Sequence, residues 1–310
     1  MLFSTLSTKK RYATLIALVA LICLGACASN TATDVSQRRQ IRDDSGVSVS
    51  LPAKVDRVVS LAPNLTEIVF AIGAGHTLVG RTSYCNFPAE ANSVTPVGDT
   101  LHPSLERIVS VKPQVVLIST ASQLEVFTKQ LQSHGIAVFV TDPRELEGVF
   151  RTIVQVGEIV GDQDKANALV AKLRERTTAV QEKVKDAKPV RVFYQLSAQP
   201  LFTAGKEAFV TDLIRRAGGI SVTGEVPGAW PKYSAEAALA THPDAIILPT
   251  GGSMGDGNTT VADALKGSPA AVQGKVYKIN DDHLVRPGPR AVDGLEEMAR
   301  ALHPDLFKQL

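Results

Sequence analysis

The chain is poor in cysteine and in aromatic residues. Three cysteines, one tryptophan, five tyrosines and ten phenylalanines occur in 310 residues. Two of the cysteines, Cys23 and Cys27, fall in an N-terminal segment that reads as an export signal, so Cys85 stands alone. A lone cysteine excludes an intramolecular disulfide, and without a Cys-x-x-Cys pair it offers no metal or redox motif. Cys85 therefore reads as a small buried residue. There is no basic run and no alternation of basic and aromatic residues, which excludes a nucleic-acid surface. Enzyme signatures are missing as well: no Gly-x-Ser-x-Gly, no His-Glu-x-x-His, no phosphate-binding loop. Gly73-Ala-Gly75 lacks the third glycine of a dinucleotide fingerprint and reads as a helix end. The six histidines, at 76, 102, 134, 242, 283 and 303, form no ligand pair at recognisable spacing.

The one long apolar run is N-terminal and short. Lys9, Lys10 and Arg11 precede an apolar stretch from Tyr12 to Leu24, too short for a comfortable membrane span. Leu24-Gly25-Ala26-Cys27 then resembles a bacterial lipoprotein signal, with Cys27 as the lipidated residue. Lipid anchors a protein without spanning the bilayer. Removing the three basic residues of 1–26 from 33 leaves 30 against 31 acidic, so the formal +2 becomes −1. Residues 28–45 are polar and read as a tether. Val47, Val49 and Leu51 alternate with polar residues, as in an edge strand.

What is present is a repeat. Ser-Leu-Glu-Arg-Ile-Val-Ser-Val-Lys-Pro-Gln-Val-Val-Leu-Ile spans 104–118, and Ser-Ala-Glu-Ala-Ala-Leu-Ala-Thr-His-Pro-Asp-Ala-Ile-Ile-Leu spans 234–248. The offset of 130 pairs Ser104 with Ser234, Glu106 with Glu236 and Pro113 with Pro243. Each copy predicts a serine cap, an acidic first turn, a short helix stopped by proline, and a buried parallel strand. Two such units imply two similar α/β lobes, and ligand sites commonly lie where domains meet.

Strands are predicted at 57–61, 78–80, 136–140, 191–194 and 276–279. Helices are predicted from Asn64 to the glycines at 73 and 75, with Glu67 in the first turn, and over 121–133, 145–160, 207–217, 260–266 and 289–302. Ala166, Leu169, Val170, Leu173, Thr177, Val180 and Val184 recur at three- and four-residue steps, giving one amphipathic helix of about 25 residues. The predicted organisation is a signal over 1–26, a tether and edge strand over 27–54, an N-terminal lobe over 55–145, connecting helices over 146–188 and a C-terminal lobe over 189–310. The fold class is α/β: two Rossmann-like lobes, parallel sheets flanked by helices, joined by one long rigid helix.

Several residues that follow strands are candidates for a cleft, because ligands of α/β sheets sit beyond the strand carboxyl ends. Tyr84 and Phe87 occur in Ser-Tyr-Cys-Asn-Phe-Pro, Phe202 in Pro-Leu-Phe-Thr-Ala-Gly-Lys, and Trp230 in Val-Pro-Gly-Ala-Trp-Pro. Asp281 and Asp282 precede Arg286 and Arg290; Arg286 has the fork to bind a carboxylate or carbonyl, or to pair with Asp281 or Asp282. Of the six histidines, His102 and His283, placed in cleft-side loops, are the only candidate ligands for haem or a metal, and Tyr84 is a further axial candidate for haem.

Arg57-Val-Val-Ser-Leu-Ala-Pro-Asn-Leu-Thr-Glu67, Leu105-Glu106-Arg-Ile-Val-Ser-Val-Lys-Pro113 and the long helix resemble the helical-backbone class of substrate-binding proteins of ABC importers, across 55–305. Within it, Ser83-Tyr84-Cys-Asn-Phe-Pro88, Arg191-Val-Phe-Tyr-Gln195, Pro200-Leu-Phe-Thr-Ala-Gly-Lys-Glu207, Ala229-Trp230-Pro231 and Asp282-x-x-x-Arg286 are most similar to the cobalamin-binding branch. The resemblance implies a non-catalytic receptor, without a resident cofactor or metal, that holds a corrinoid between its lobes. It implies Tyr84, Phe202, Trp230, Asp282 and Arg286 as ligand contacts. It implies Glu106 and Glu236 as docking residues for a permease dimer with its ATPase subunits. That branch places a tryptophan near Thr100, where this chain has Thr100-Leu101-His102-Pro103, which keeps haem or a siderophore in view. The readings outside the class are a nitrogenase-like metal-cofactor enzyme or assembly protein, and a zinc or manganese receptor with three or four convergent ligands.

Overall fold

A computed structural model describes residues 38–119, 125–251 and 260–308. The export signal, Cys27 and most of the glycine-rich stretch 251–258 lie outside the described residues, as do the first residues of the helix predicted at 121–133.

The first lobe is built on β3 (Val58–Ser60), β4 (Leu78–Arg81), β5 (Val115–Ser119) and β6 (Ala137–Thr141). All pair in parallel, in the order β4-β3-β5-β6. The helices between them are α1 (Pro63–Ala71), α2 (Leu105–Ser110) and α3 (Glu125–Ser133). The central strands β3 and β5 are apolar up to their last residues, Ser60 and Ser119, and those apolar residues are buried on both faces, as a helix-covered parallel sheet requires.

The second lobe repeats this plan with β7 (Val190–Ala198), β9 (Gly219–Ser221), β10 (Ala245–Thr250) and β11 (Val276–Asn280). Their parallel order is β9-β7-β10-β11, and β8 (Leu201–Thr203) adds antiparallel to the far end of β7. In order of appearance both parallel sheets read second, first, third, fourth. That order places a switch point beside the carboxyl ends of β3 and β5 in one lobe, and of β7 and β10 in the other. The lobe's helices are α6 (Phe209–Arg216), α7 (Ala235–Ala240), α8 (Pro269–Val272), α9 (Asp281–Val285) and α10 (Ala291–Leu302).

Between the lobes run α4 (Leu146–Val160) and α5 (Gln163–Val184). Gly161, at φ 81°, turns one into the other, where a side chain would be strained. The 22-residue α5 buries Ala166, Val170, Leu173, Thr177, Val180 and Val184, the predicted stripe. One core of side chains continues from α1 and α4 through α5 to α6 and α10.

Several local expectations are corrected. Residues 39–42 form β1 and pair with β2 (Ser48–Leu51), so the polar tether does not extend to residue 45. Asp44 of the turn between them donates its N–H to the Val140 carbonyl and accepts from the Asp142 N–H, which supplies order that composition alone does not. Helix α1 begins at Pro63, so Glu67 is its fifth residue and lies beyond the first turn. The helix predicted at 260–266 is a single tight turn over Asp263–Leu265. The stretch after β11 is not a loop: Asn280 caps it, accepting from the Asp282 N–H at 3.0 Å, and α9 follows at once. His283 therefore lies on a helix, where its Nδ1 is 2.9 Å from Glu297 of α10. No helix of the described residues is long and apolar enough to cross a membrane.

Candidate functional site: the cleft edge between two lobes

The repeat is built alike in both copies. Ser104 Oγ accepts from the Arg107 N–H at 3.3 Å, and Ser234 Oγ from the Ala237 N–H at 3.1 Å. Glu106 and Glu236 stand exposed in the first turns of α2 and α7. Arg57, on the segment entering β3, donates to the carbonyls of Val111 and Lys112 (2.6 and 3.0 Å). Arg191, on β7, donates to the Thr241 carbonyl at 2.7 Å. Each arginine thus puts its charge at the negative end of a repeat helix.

Beyond β4 the chain forms the loop that carries Tyr84, Asn86 and Phe87. Tyr84 and Phe87 are 44% and 43% exposed. Cys85 between them is fully buried, with its sulfur 3.2 Å from Thr82 Oγ1.

In the second lobe Trp230 rides a loop that crosses closely over residues 203–206. Thr203 N–H donates to the Pro231 carbonyl, Gly205 N–H to Ala229 and Lys206 N–H to Val226. A Cβ on Gly205 would collide with the carbonyl oxygens of Gly228 and Val226, so only glycine permits this crossing. Trp230 is half-buried and leans on the buried Tyr194 ring, 6.0 Å between centroids at 41°. Phe202, also half-buried, bridges to Lys232 of the same loop. Phe202 and Trp230 thus flank one crossing of two backbone segments.

Asp282 and Arg286 come together too, but as part of a cluster joining the lobes. Glu67 of α1, 3% exposed, accepts from Arg286 Nη1 at 3.2 Å and from Arg290 Nε and Nη2 at 2.9 and 2.6 Å. Asp282 lies 2.9 Å from Arg286 Nη2 and 3.4 Å from Arg290 Nη2. The first of these contacts is off the donor axis and acts as charge pairing, not as a hydrogen bond. Arg286 Nη1 also donates to Asn86 Oδ1 at 3.1 Å, and the Arg290 guanidinium covers the Phe87 ring at 4.0 Å. Asn64 Nδ2 donates to the Pro287 carbonyl at 3.2 Å. Burial opposes the charge on Arg290, but the Glu67 hydrogen bonds and the Glu67 and Asp282 charges outweigh it, so its pKa rises.

Sequence reasoning missed Glu67 and Arg290 as site residues, and Asn64, Asn86 and Gly205. Glu67 and Gly205 stood in recognised motifs, but nothing local said what they touch. Tyr84 enters the site through its neighbour Asn86. Glu106 and Glu236 lie apart from the cluster on the repeat helices. His102, in the loop after Gly98, is exposed, with its Nδ1 3.4 Å from Asp99. His102 and Leu101 N–H groups both donate to Asp99 Oδ1. The hydrogen bond from the His102 N–H is the largest influence lowering the Asp99 pKa. His283 does not join the cluster; it pairs within its own lobe. Among the described residues, no group of three or more His, Cys, Asp or Glu could hold a metal ion. A polar cavity of about 480 Å³ opens at the carboxyl end of β7, lined by Ser197, Gln199, Thr260, Asp263 and Lys266.

Two α/β lobes of like topology, a connecting helix and a polar cluster at the lobe junction define a binding fold. Residues 58–282 match the model of the periplasmic binding protein family, and the chain belongs to that family. It is 30% identical over 307 residues to an uncharacterized ABC transporter substrate-binding lipoprotein, YvrC, of Bacillus subtilis, covering 94% of this chain and 96% of that one. It is 31% identical to a vitamin B12-binding protein of Salmonella typhimurium, over 79% of this chain and 90% of that protein. Among solved structures it is similar to the periplasmic vitamin B12-binding protein BtuF of Vibrio cholerae: TM-score 0.72, 25% identity, 82% of this chain and 99% of that one. It is also similar to the periplasmic heme-binding protein RhuT of Roseiflexus: TM-score 0.71, 25% identity, 81% and 99%. These relatives are substrate-binding transport proteins, not enzymes. Membership implies an extracytoplasmic place, a ligand and an ABC permease as partner.

Proposed function

We propose that the protein is a lipid-anchored receptor that captures cobalamin or a related corrinoid between its lobes and delivers it to an ABC permease. One observation carries this reading. The Asp282–Arg286 cluster meets the loop that bears Tyr84 and Phe87, so exposed rings and hydrogen-bonding groups share one cleft edge. On the second lobe Phe202 and Trp230 add two half-buried rings on a tightly fixed loop. A corrinoid is a broad apolar disc with amide arms. Rings suit its face, and Asp282 and Arg286, by exchanging contacts within their cluster, suit an amide's N–H and C=O. The B12-binding relatives support the same ligand.

In this reading Cys27 carries the lipid, and Glu106 and Glu236 dock on the permease. A protein with two like lobes presents two like carboxylates to a symmetric dimer. Such exposed charges set register and encounter rate. The test is isolation of the full chain from cells grown with cobalamin. A corrinoid recovered at one per protein, identified by absorbance and mass, supports the reading, and its absence opposes it.

Haem is the second reading, favoured by His102. Asp99 beside its Nδ1 orients an exposed imidazole whose Nε2 is left to meet a metal, the arrangement common to ligating histidines. A haemin Soret shift that disappears in His102→Ala supports it. No shift, or one that His102→Ala leaves intact, removes that role.

A further inference from the structure

The fork of Arg286 is already engaged by Glu67, Asn86 and Asp282, and Arg290 is held by Glu67 and Asp282. Two carboxylates and two guanidiniums balance their charges in a cluster with little exposure to solvent. Its side chains are 2 to 15% exposed. Glu67 is the only one of the four from the first lobe, and it lies 223 residues from Arg290. Removing it would leave Asp282 as the one carboxylate of these four beside the two buried arginines.

The neighbouring contacts follow the same line. Asn64, on the same helix as Glu67, holds the Pro287 carbonyl. A Cβ added at Gly288 would already touch the Asn64 Cβ, Cα and carbonyl oxygen, so the two segments run close together. Phe87 is covered by Arg290, so the aromatic loop of the first lobe is held by the same guanidinium. A fork held on two nitrogens resists both sliding and rotation, unlike a single point charge.

We propose that Glu67 and Arg290 are positioning residues: their ion pair sets the spacing of the lobes in the free protein and holds Asp282 and Arg286 in place for the ligand. The second half of this inference rests on the ligand reading above; the first does not. The pair is a strut across the cleft edge. The free protein then rests near its binding-competent spacing, and little affinity is lost to closing it. When a variant populates other spacings, apparent affinity falls in proportion to the competent fraction.

The experiment uses the full chain in detergent, with a dye pair on non-canonical residues at the exposed positions Gln130 and Gln273, one per lobe. Single-molecule transfer efficiency reports lobe spacing with no ligand. Wild type is expected to give one narrow distribution. Glu67→Gln and Arg290→Gln are each expected to broaden it or move it, and the double variant to do no more than either alone. Arg290→Lys, which keeps charge and loses the fork, is the second variant should Arg290→Gln fail to fold, and an intermediate effect is expected. Arg176→Gln, which breaks an ion pair between α5 and α10, controls for mere loss of stability and is expected to leave the distribution narrow. Unchanged distributions in folded Glu67→Gln and Arg290 variants would overturn the strut. Titration with cyanocobalamin and haemin then reads the second half. If the competent fraction falls tenfold, affinity for whichever ligand wild type binds falls about tenfold; undiminished affinity despite altered spacing overturns the positioning role. Wild type binding neither compound counts against the ligand reading, and the dye distances still decide the strut.

Discussion

Lys112 and His242, 130 positions apart, both take the left-handed backbone conformation, with φ 47° and 42°, and are the only non-glycine residues to do so among the described residues. Each precedes the proline of its repeat. The proline ring bars the residue before it from continuing the right-handed helix. A left-handed residue then turns the chain into the next strand, where Gln114 and Asp244 N–H groups reach the carbonyls of Arg57 and Arg191 (2.9 and 2.8 Å). The two lobes thus share a strained backbone detail as well as an order of strands.

A non-glycine residue in the left-handed region already bears about 1–2 kcal/mol, as Lys112 and His242 do, and β-branching is expected to add about 1 kcal/mol more. Lys112→Val and His242→Val are therefore expected to lower stability by similar amounts, of that order, in urea unfolding. Lys172→Val, on the exposed side of α5, is expected to change it by about 0.5 kcal/mol or less. A large loss in one repeat and none in the other would contradict a shared role.

The docking role proposed for the repeat helices would separate transport from binding. Glu106→Ala with Glu236→Ala is expected to abolish ligand uptake by cells while leaving ligand affinity within about twofold, since neither carboxylate belongs to the cleft cluster. Uptake at the wild-type rate in the double variant would remove that role.

Gly205 and Trp230 belong to one device. Trp230→Ala removes a ring from the proposed site and is expected to weaken ligand binding by about 30-fold, as for a central aromatic anchor. Gly205→Ala leaves every ring in place, but its methyl meets the backbone under Trp230. It is expected to weaken binding comparably and to change the Trp230 emission spectrum, Trp230 being the one tryptophan of the chain. Wild-type emission and affinity in Gly205→Ala would show that the loop yields and the crossing does not matter.

Away from the cleft, Arg176 ties α5 to α10. Its Nη2 donates to Asp293 Oδ1 at 2.6 Å and its Nε to Glu296 Oε1 at 2.9 Å. The hydrogen bond from Arg176 is the largest influence on the Glu296 carboxyl and lowers its pKa, against burial and with help from the Arg176 and Arg300 charges. A carboxyl held lower when folded adds stability above its ordinary value of 4.5, and that stability is lost as pH falls through the folded value. Arg176→Gln is expected to unfold at lower urea than wild type near neutral pH. The gap is expected to close as pH drops below about 4.5. A gap of constant size down to pH 3 would contradict the linkage.

What was legible in the sequence follows from physical range. Val115 to Ile118 and Ala245 to Leu248 are buried on both faces, so apolar runs announce them. The stripe of α5 announces itself by helical spacing. Ser104 and Ser234 announce two helix starts by the chemistry of their hydroxyls. Strand β9, at three residues, is too short to show a period, and α9 opens on Asp281, Asp282 and His283, with Asp282 buried against Arg286 and Arg290 and not by apolar character. Glu67 was hardest to read. It sits mid-helix among apolar residues, and its meaning lies in guanidiniums more than 200 positions away. A charge paired over such a distance leaves no local pattern.

The most direct test of the central claim is a calorimetric titration of the full chain with cyanocobalamin, with haemin in parallel. The account predicts saturable one-to-one binding of cyanocobalamin that Trp230→Ala weakens and Glu106→Ala does not. No heat with cyanocobalamin, together with a haemin complex unaffected by Trp230→Ala, would contradict it.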